Sequence, residues 1–433
     1  MKKIILVFII FSLGFTKEIT FEEGLSLLYE NNPQLKILNS KLSQARYKKF
    51  ETFTNWLPKL QLQAQYTKLS RPQMDLSKLP PIQQAVFSGM FPSTLVSDKL
   101  YSASFNISQL LFSSGKVYSA YKISCLNYEI AKYEYKKTKL ELEIQYKEAF
   151  IKTLLAKKVL EVTEKTVQIS SENYKVSSQM YNEGRVSYLD YSSAKLNHYN
   201  AKIAYFKMLN NYQIAKQSLK TLLGVDFEVE PEGKLEEFYI EEDYDFEKLK
   251  EKIDSTYDIK IMQLQKSIIR NTLHINRTES LPVVSLVGNY SWSTDNYEKD
   301  FDEWDDRHSL VLVLNWPIFS SGATLAKVKQ TKESLKQIDF SISSLRDGLL
   351  LQLNTLYSTY IQLLESLKLA KENLDIAEEN YNVAKIYYIE GRSSYLELLQ
   401  SELNLSNSKI NYYQILSDYI ITLEKFKKFK TTE

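Results

Sequence analysis

The residue types that most often do chemistry are few in this chain, and they do not converge. His198, His274 and His308 are its three histidines, and they are scattered without metal-ligand spacing. Cys125 is the single cysteine, which excludes an intramolecular disulfide. Neither a Gly-rich phosphate loop nor a nucleophile elbow occurs, and the many serines lack a local partner signature. The sequence therefore calls for no catalytic residue, no metal and no cofactor. What stands out is a carboxylate placed twice at the same distance beyond a glycine turn. Tyr181-Asn182-Glu183-Gly184-Arg185-Val186-Ser187-Tyr188-Leu189-Asp190 returns 207 residues later as Tyr388-Ile389-Glu390-Gly391-Arg392-Ser393-Ser394-Tyr395-Leu396-Glu397. Chance does not repeat Arg, Ser, Tyr, Leu and an acid at matched offsets, so the pair reads as an internal duplication.

The elements that position these carboxylates are helices. Glycine interrupts a long helical pattern in both copies and helix formers resume at once, as in a tight αα-hairpin turn. No proline lies between Pro92 and Pro231, and none follows Pro317. Such tracts permit helices far beyond ordinary globular length. From Phe112-Ser113-Ser114-Gly115 a helical pattern runs to Glu183, about 68 residues or roughly 100 Å at 1.5 Å per residue. Its later half carries a heptad-like seam at Leu155, Val159, Val162, Thr166, Ile169, Asn173, Val176 and Met180. A shorter helix follows from about Val186 to Leu223, ended by Gly224. Phe319-Ser320-Ser321-Gly322 opens a second long helix at the same 207-residue offset, with a seam at Leu363, Leu367, Ala370, Leu374, Ala377, Tyr381, Ala384 and Tyr388. A last helix runs from Ser394 to about Lys427.

Ahead of each long helix the period changes to two. Leu60, Leu62, Ala64 and Tyr66 alternate with Gln61, Gln63, Gln65 and Thr67, and Tyr101, Ala103, Phe105 and Ile107 alternate with serines and Asn106. Val284, Leu286, Tyr290 and Trp292, then Leu310, Leu312, Leu314 and Trp316, repeat the pattern. Strands are expected at about 57–67, 101–111, 281–292 and 308–318, the first pair separated by a loop bearing Pro72, Pro80, Pro81 and Pro92, the second by an acidic loop from Ser293 to Arg307. A capping-box helix opens at Thr20 with Glu23, Asn31-Asn32-Pro33 breaks it, and a second helix runs to about Phe53. A helix from about Tyr257 to Glu279 takes the corresponding place before Leu281-Pro282. Residues 225–249 read as an acidic connector with little core, between repeats of about 20–224 and 250–428. The fold class is mainly α with a small β part, in two tandem repeats that form a single domain over 16–433. Laid end to end, each pair of shorter helices matches a long one, which puts strands and turns at opposite ends of a rod.

Residues 1–15 form a secretory signal pattern: Lys2 and Lys3, an apolar run from Ile4 to Phe11, then Ser12-Leu13-Gly14. No other segment is apolar enough for a helical span. The formal charge of +2 gives no reason to expect nucleic acid. Each strand has the length that crosses a bilayer when tilted, and in lipid spanning strands must close a barrel. Four are too few, since the smallest membrane barrels have eight. Either the strands are ordinary hairpins in water, or several chains pool them.

The chain resembles the TolC-like outer-membrane efflux family, the outer membrane factors of tripartite efflux and type I secretion systems. The likeness rests on Phe21-Glu22-Glu23-Gly24-Leu25 with Asn31-Asn32-Pro33, Trp56-Leu57-Pro58, both Phe-Ser-Ser-Gly strand exits and both Gly-Arg turns, in duplicated order over nearly the whole mature chain. It implies a homotrimer whose twelve strands form one barrel in outer-membrane lipid, continued by an α-helical periplasmic tunnel. It also implies partners, a periplasmic adaptor (membrane fusion protein) and an inner-membrane pump, for which the channel is a passive exit duct. By the same resemblance, Gly184, Arg185, Ser187, Gly391, Arg392 and Ser394 are adaptor-docking tips. The periplasmic gate maps to Tyr388, Arg392 and Glu397, with Asp190 as the first-repeat counterpart of Glu397. The chain departs from the family pattern where Gln400 stands for a second acid and Ser393 for an arginine. A solvated Glu397 and turns that merely reverse the chain remain the plain alternatives. A non-transporting structural or adhesive coiled-coil protein of the envelope is the competing function, and a periplasmic adaptor the third.

Overall fold

A computed structural model describes residues 16–68, 80–83, 86, 99–294 and 300–430. The expected signal segment, most of the proline-rich loop and part of the acidic loop lie outside the described residues. In chain order, β1 (Thr16–Ile19) precedes α1 (Phe21–Asn31) and α2 (Pro33–Phe53). Then come β2 (Lys59–Lys68), β3 (Lys99–Phe112), the long α3 (Lys116–Asn182) and α4 (Tyr188–Leu223). The middle of the chain carries β4 (Glu228–Pro231) and α5 (Phe246–Glu251). The second half has α6 (Tyr257–Thr278), β5 (Val283–Thr294), β6 (Asp305–Asn315), the long α7 (Ala323–Ile389), α8 (Tyr395–Lys425) and a final turn α9 (Lys427–Lys430). The fold is mostly helical with few strands, as its sequence periods require.

The chain divides into two compact units. One holds Met1–Leu42, Ile130–Gln263 and Phe340–Glu433, the other Ser43–Glu129 and Leu264–Asp339. Each takes segments from both halves of the chain, so neither coincides with a sequence repeat. Both long helices are 67 residues, and their first residues, Lys116 and Ala323, are 207 positions apart. Just before them Ser114 and Ser321 have φ of 52° and 50°, and Gly115 and Gly322 both have 83°. The two strand-to-helix corners thus share one backbone. Every seam residue named above is buried or half-buried, because an apolar stripe of that length is stable only against lateral partners.

The sequence reading needs one correction. The segment taken as an irregular connector is structured and part of the core. β4 pairs in parallel with β1, in the register Thr16↔Glu228 to Ile19↔Pro231. Val229, Leu235, Tyr244, Leu249 and Ile253 are all buried in the main hydrophobic cluster of the first unit. The acidic side chains masked this pattern, since each short apolar residue sits singly between charged neighbours that face solvent. The strands also shift by a few residues from their expected limits. Register places Val283 opposite Asn315 and Ser293 opposite Asp305, so the acidic start of β6 belongs to the ladder. Trp316 and Pro317 fall outside it, the indole Nε1 donating to the Ser280 carbonyl at 3.1 Å.

The core of the first unit explains one glycine of the N-terminal motif. Thr20 and Glu23 form the expected reciprocal cap on α1. Behind it Tyr146 is fully buried, its hydroxyl donating to the Phe21 carbonyl at 2.9 Å. A Cβ on Gly24 would stand 2.0 Å from that Tyr146 oxygen. Gly24→Ala should therefore cost about 1 to 3 kcal/mol of stability through overpacking. Combining it with Tyr146→Phe should cost less than the two single losses together. Thermal denaturation of the four proteins in detergent checks both expectations, and strict additivity would contradict the contact.

Candidate functional site

Two places in the structure collect the residues of interest, one in each unit. The first is the antiparallel sheet of the second unit, in the order β2-β3-β5-β6. Its register sets apolar residues side by side over much of one face, with Gln109 opposite Leu286 and Asp306 opposite Trp292 as exceptions. Leu62 lies opposite Phe105, Phe105 opposite Tyr290, and Leu60 opposite Ile107. Val284, Leu286 and Gly288 in turn face Leu314, Leu312 and Leu310. That face is accordingly mainly apolar, and Val287, Val311 and Val313 lie on the other. The other face carries Gln61, Gln63 and Gln65 beside Asn106, Ser104 and Ser102, then Asn289, Ser291 and Ser293. Asn289 Nδ2 donates to Asn106 Oδ1 at 2.7 Å on this polar side.

The apolar face is uncovered. Leu62 and Leu310 are each 73% exposed, and every residue of β6 is exposed. β2 and β6 also leave their outer backbone edges without a strand partner among the described residues. Strands of 10, 14, 12 and 11 residues match what a tilted membrane strand requires. No helix among the described residues is long and apolar enough to cross a membrane.

The second place is built by the two Gly-Arg turns. Gly184 and Gly391 take left-handed φ of 69° and 74°, as a C′ residue does. The Arg185 amide donates to the Met180 carbonyl and the Arg392 amide to the Tyr387 carbonyl, both at 2.8 Å, closing matched helix ends. Ser187 and Ser394 then cap the following helices. A Cβ on either glycine would meet nothing within 4 Å, so both turns are open to a partner. One hydrophobic cluster gathers Met180, Ala194, Tyr381, Tyr388, Tyr395 and Leu398 from all four helices flanking the turns.

The expected gate residues fare differently. Asp190 is used in folding: its carboxylate accepts from Ser187 N at 3.2 Å and from Ser187 Oγ at 2.7 Å. Glu397 is exposed, and only its backbone is engaged, its amide donating to Ser394 Oγ at 3.3 Å and its carbonyl accepting from Ser401 Oγ. Arg392 pairs with Glu390 at 3.2 Å and lies 4.9 Å from the Tyr387 ring centre. Arg185 pairs with Glu183 in the same way. Tyr388 is buried against Tyr395, its ring 5.7 Å away, and its hydroxyl and that of Ser177 are buried close to each other without a well-formed hydrogen bond to any group among the described residues. Burial raises the Tyr388 hydroxyl above its ordinary range, the neighbouring Ser177 hydroxyl opposes the shift and Asp190 adds to it.

Behind the turns lies a polar cluster that pattern reading passed over. Glu402 of α8 is buried, accepting from Asn173 Nδ2 of α3 at 2.8 Å and from Asn197 Nδ2 of α4 at 3.5 Å. Burial pushes its carboxyl up to about 7, against the opposing pull of the two amides. Nearby, His198 is stacked on Tyr174 and lies 3.3 Å from Ser170 Oγ, held below its ordinary range by burial and by Lys202. The signal was present in the sequence. Glu402 interrupts the apolar stripe Tyr395, Leu398, Leu405 at helical spacing, as Asn173 interrupts the seam of α3.

Against this geometry the comparisons are decisive. The family model for the outer membrane efflux protein matches residues 24–225 and 251–428. The chain belongs to that family. It is an outer-membrane protein that extends into the periplasm. Comparison with curated protein sequences returned no match. Among solved structures, CusC is similar with a TM-score of 0.81 at 14% identity, covering 96% of this chain and 93% of that one. The CmeC outer membrane channel of Campylobacter jejuni gives 0.77 at 16%, covering 94% and 85%. The outer membrane protein VceC of Vibrio cholerae gives 0.76 at 14%, covering 94% and 95%. At such identities these likenesses establish the fold.

Within this efflux-family fold the two carboxylates beyond the turns should separate by their roles in stability. Asp190→Ala removes a reciprocal cap and should cost about 1 kcal/mol. Glu397→Ala removes a carboxylate that no fold contact uses and should change stability by less than about 0.5 kcal/mol. Hydrogen exchange of the amides in the first turns of α4 and α8 measures each. Equal losses would show that Glu397 is tied into the fold after all.

Proposed function

We propose that this chain is one subunit of a homotrimeric channel that forms the exit duct of a tripartite efflux or type I secretion system. The observation that carries the reading is the four-stranded sheet with two open edges, one apolar face and one polar face. An edge in hydrocarbon leaves backbone groups unpaired at several kcal/mol each, so such a sheet must be closed by others. Three copies supply twelve strands, an even number within the range of membrane barrels. The apolar face then meets lipid and the Gln, Ser and Asn face lines the lumen. The long helices of the two repeats continue the duct as a periplasmic tunnel.

The duct is passive in this reading, with energy supplied by an inner-membrane pump through a periplasmic adaptor. Gly184, Arg185 and Ser187, with Gly391, Arg392 and Ser394, are the docking tips, which their open surroundings support. Tyr388, Arg392, Glu397 and Asp190 belong to the periplasmic gate, and Glu397 leads because its carboxylate has no task in the fold. Near a three-fold axis three such carboxylates would attract cations. A structural or adhesive envelope protein is the competing reading, and it gives no use to a sheet with a polar and an apolar face.

Two experiments test this. Leu62→Arg should abolish assembly in the outer membrane, at about 2 to 4 kcal/mol per lipid-facing charge near the midplane, whereas its neighbour Gln63→Arg should assemble. Equal behaviour of the two variants, or a wild-type protein that fractionates as a soluble periplasmic monomer, would overturn the channel reading. In planar bilayers, Glu397→Ala should lower the preference of single channels for cations. Unchanged selectivity removes Glu397 from the gate.

A further inference from the structure

The buried polar cluster behind the turns has no assigned task, and its geometry has the parts of a switch. Glu402 is 3% exposed and sits where three helices meet. Asn173 reaches it from α3, Asn197 from α4, and on its own helix Tyr395 shares the Asn197 amide at 3.5 Å. The two 3.5 Å contacts are long for an amide that donates to a carboxylate and to a phenol. Turned over, the same amide would present Oδ1 to both, accepting from the Tyr395 hydroxyl and from a protonated Glu402. One arrangement suits the carboxylate, the other the acid.

Beside Glu402 lies a cavity of about 200 Å³, which gives the carboxylate somewhere to go. From α3 it is lined by Lys158, Glu161 and Lys165, and from α7 by Glu378. From α8 it is lined by Lys409 and Tyr413. Lys158 is held by Glu161 at 3.3 Å and Lys409 by Glu378 at 2.8 Å, so Lys165 is the cation best placed to meet a further carboxylate. From α7, Tyr381 lies near Glu402 as a neutral group, its hydroxyl pushed up to about 12 by burial and by the neighbouring Glu402 and Glu172 carboxylates. On α4, burial and Lys202 disfavour the charged form of His198, next to Asn197. The position 207 residues earlier is Lys195, so the device belongs to one repeat only.

We propose that Glu402 is a proton-operated latch between the two helix hairpins. Protonated, it stays between Asn173 and Asn197 and holds α8 against α3 and α4. Ionised, it turns toward the water and lysines of the cavity, and the packing behind the Gly-Arg turns loosens. The sign follows from burial, which favours the protonated folded state. Its contribution is complete below the ordinary carboxylate range, is lost as pH rises, and is gone above about 7. The consequence for gating rests on the channel reading, but the latch itself concerns packing and is tested without transport.

The test is hydrogen–deuterium exchange of the full chain in detergent from about pH 5.5 to about 8.5, with rates divided by the intrinsic exchange rate at each pH. Amides of residues 169–201 and 377–406 should lose protection at least about ten-fold in the wild type between about pH 5.5 and 7, and level off above it. In Glu402→Gln, where nothing titrates, they should stay level. A level wild-type profile, or the same fall in Glu402→Gln, overturns the latch. Asn173→Leu gives a check that does not depend on the Gln variant folding. It removes the amide that best solvates the buried carboxylate and should move the pH at which the profile levels off upward, and an unmoved levelling point also overturns the proposal. Loss of the latch with channels intact would leave the proposed function standing, and the reverse outcome would leave the latch.

Discussion

Backbone groups in hydrocarbon must find hydrogen-bond partners, and this constraint governs what the sheet can be. Within the chain, β3 and β5 are paired on both sides while β2 and β6 each keep one side open. A water-soluble protein commonly blunts such edges with lysine, proline or a covering loop. Here the uncovered face beside them carries Leu60, Leu62, Leu310, Leu312 and Leu314, all more than half exposed. In water that surface would be a liability, and the proposed barrel would turn it toward lipid. Side chains alternate at period two, so the same strands can carry apolar residues on one face and Gln, Ser and Asn on the other.

The helices answer a different constraint. A 67-residue helix has far more length than its own propensity stabilises, so it depends on lateral packing at every turn. The seams of α3 and α7 supply that packing, and the short helices α4 and α8 provide partners beside them. Where the seam of α3 admits Asn173, and α8 admits Glu402, stability is given up for polar contacts in the interior. These substitutions fall behind the turns, in the cluster that also buries Tyr388 and Tyr395. Polar residues at seam positions are a recognised means of fixing register, and a titratable one adds sensitivity to protons.

Most of the fold was legible because both periods are long and clean. Four strands and the seven expected helices stood at or near their expected positions, and the capping pair Thr20–Glu23 closed as its spacing requires. The connector was not legible. Val229, Leu235 and Tyr244 enter the core one at a time from non-repetitive backbone, and β4 finds its partner β1 more than 200 positions away in sequence. Local pattern carries no record of such pairing. Of the candidate site, the turns were plain from glycine and serine, but Asp190 and Glu397 looked equivalent as letters. The structure separates them, because one carboxylate closes a capping box and the other is left to solvent.

By itself the sequence determined the duplicated order of strands, long helices and Gly-Arg turns, since these follow from local periodicity and from the few residues that tolerate positive φ. It also determined that no metal-spaced histidines or disulfide partners are available to do chemistry. Only the tertiary structure decided which polar residues are buried. Glu402, Asn173 and Asn197 come from three helices and are 24 or more residues apart along the chain. Their meeting, and the desolvation that makes Glu402 hold its proton near neutrality, arise from packing that no single helix encodes.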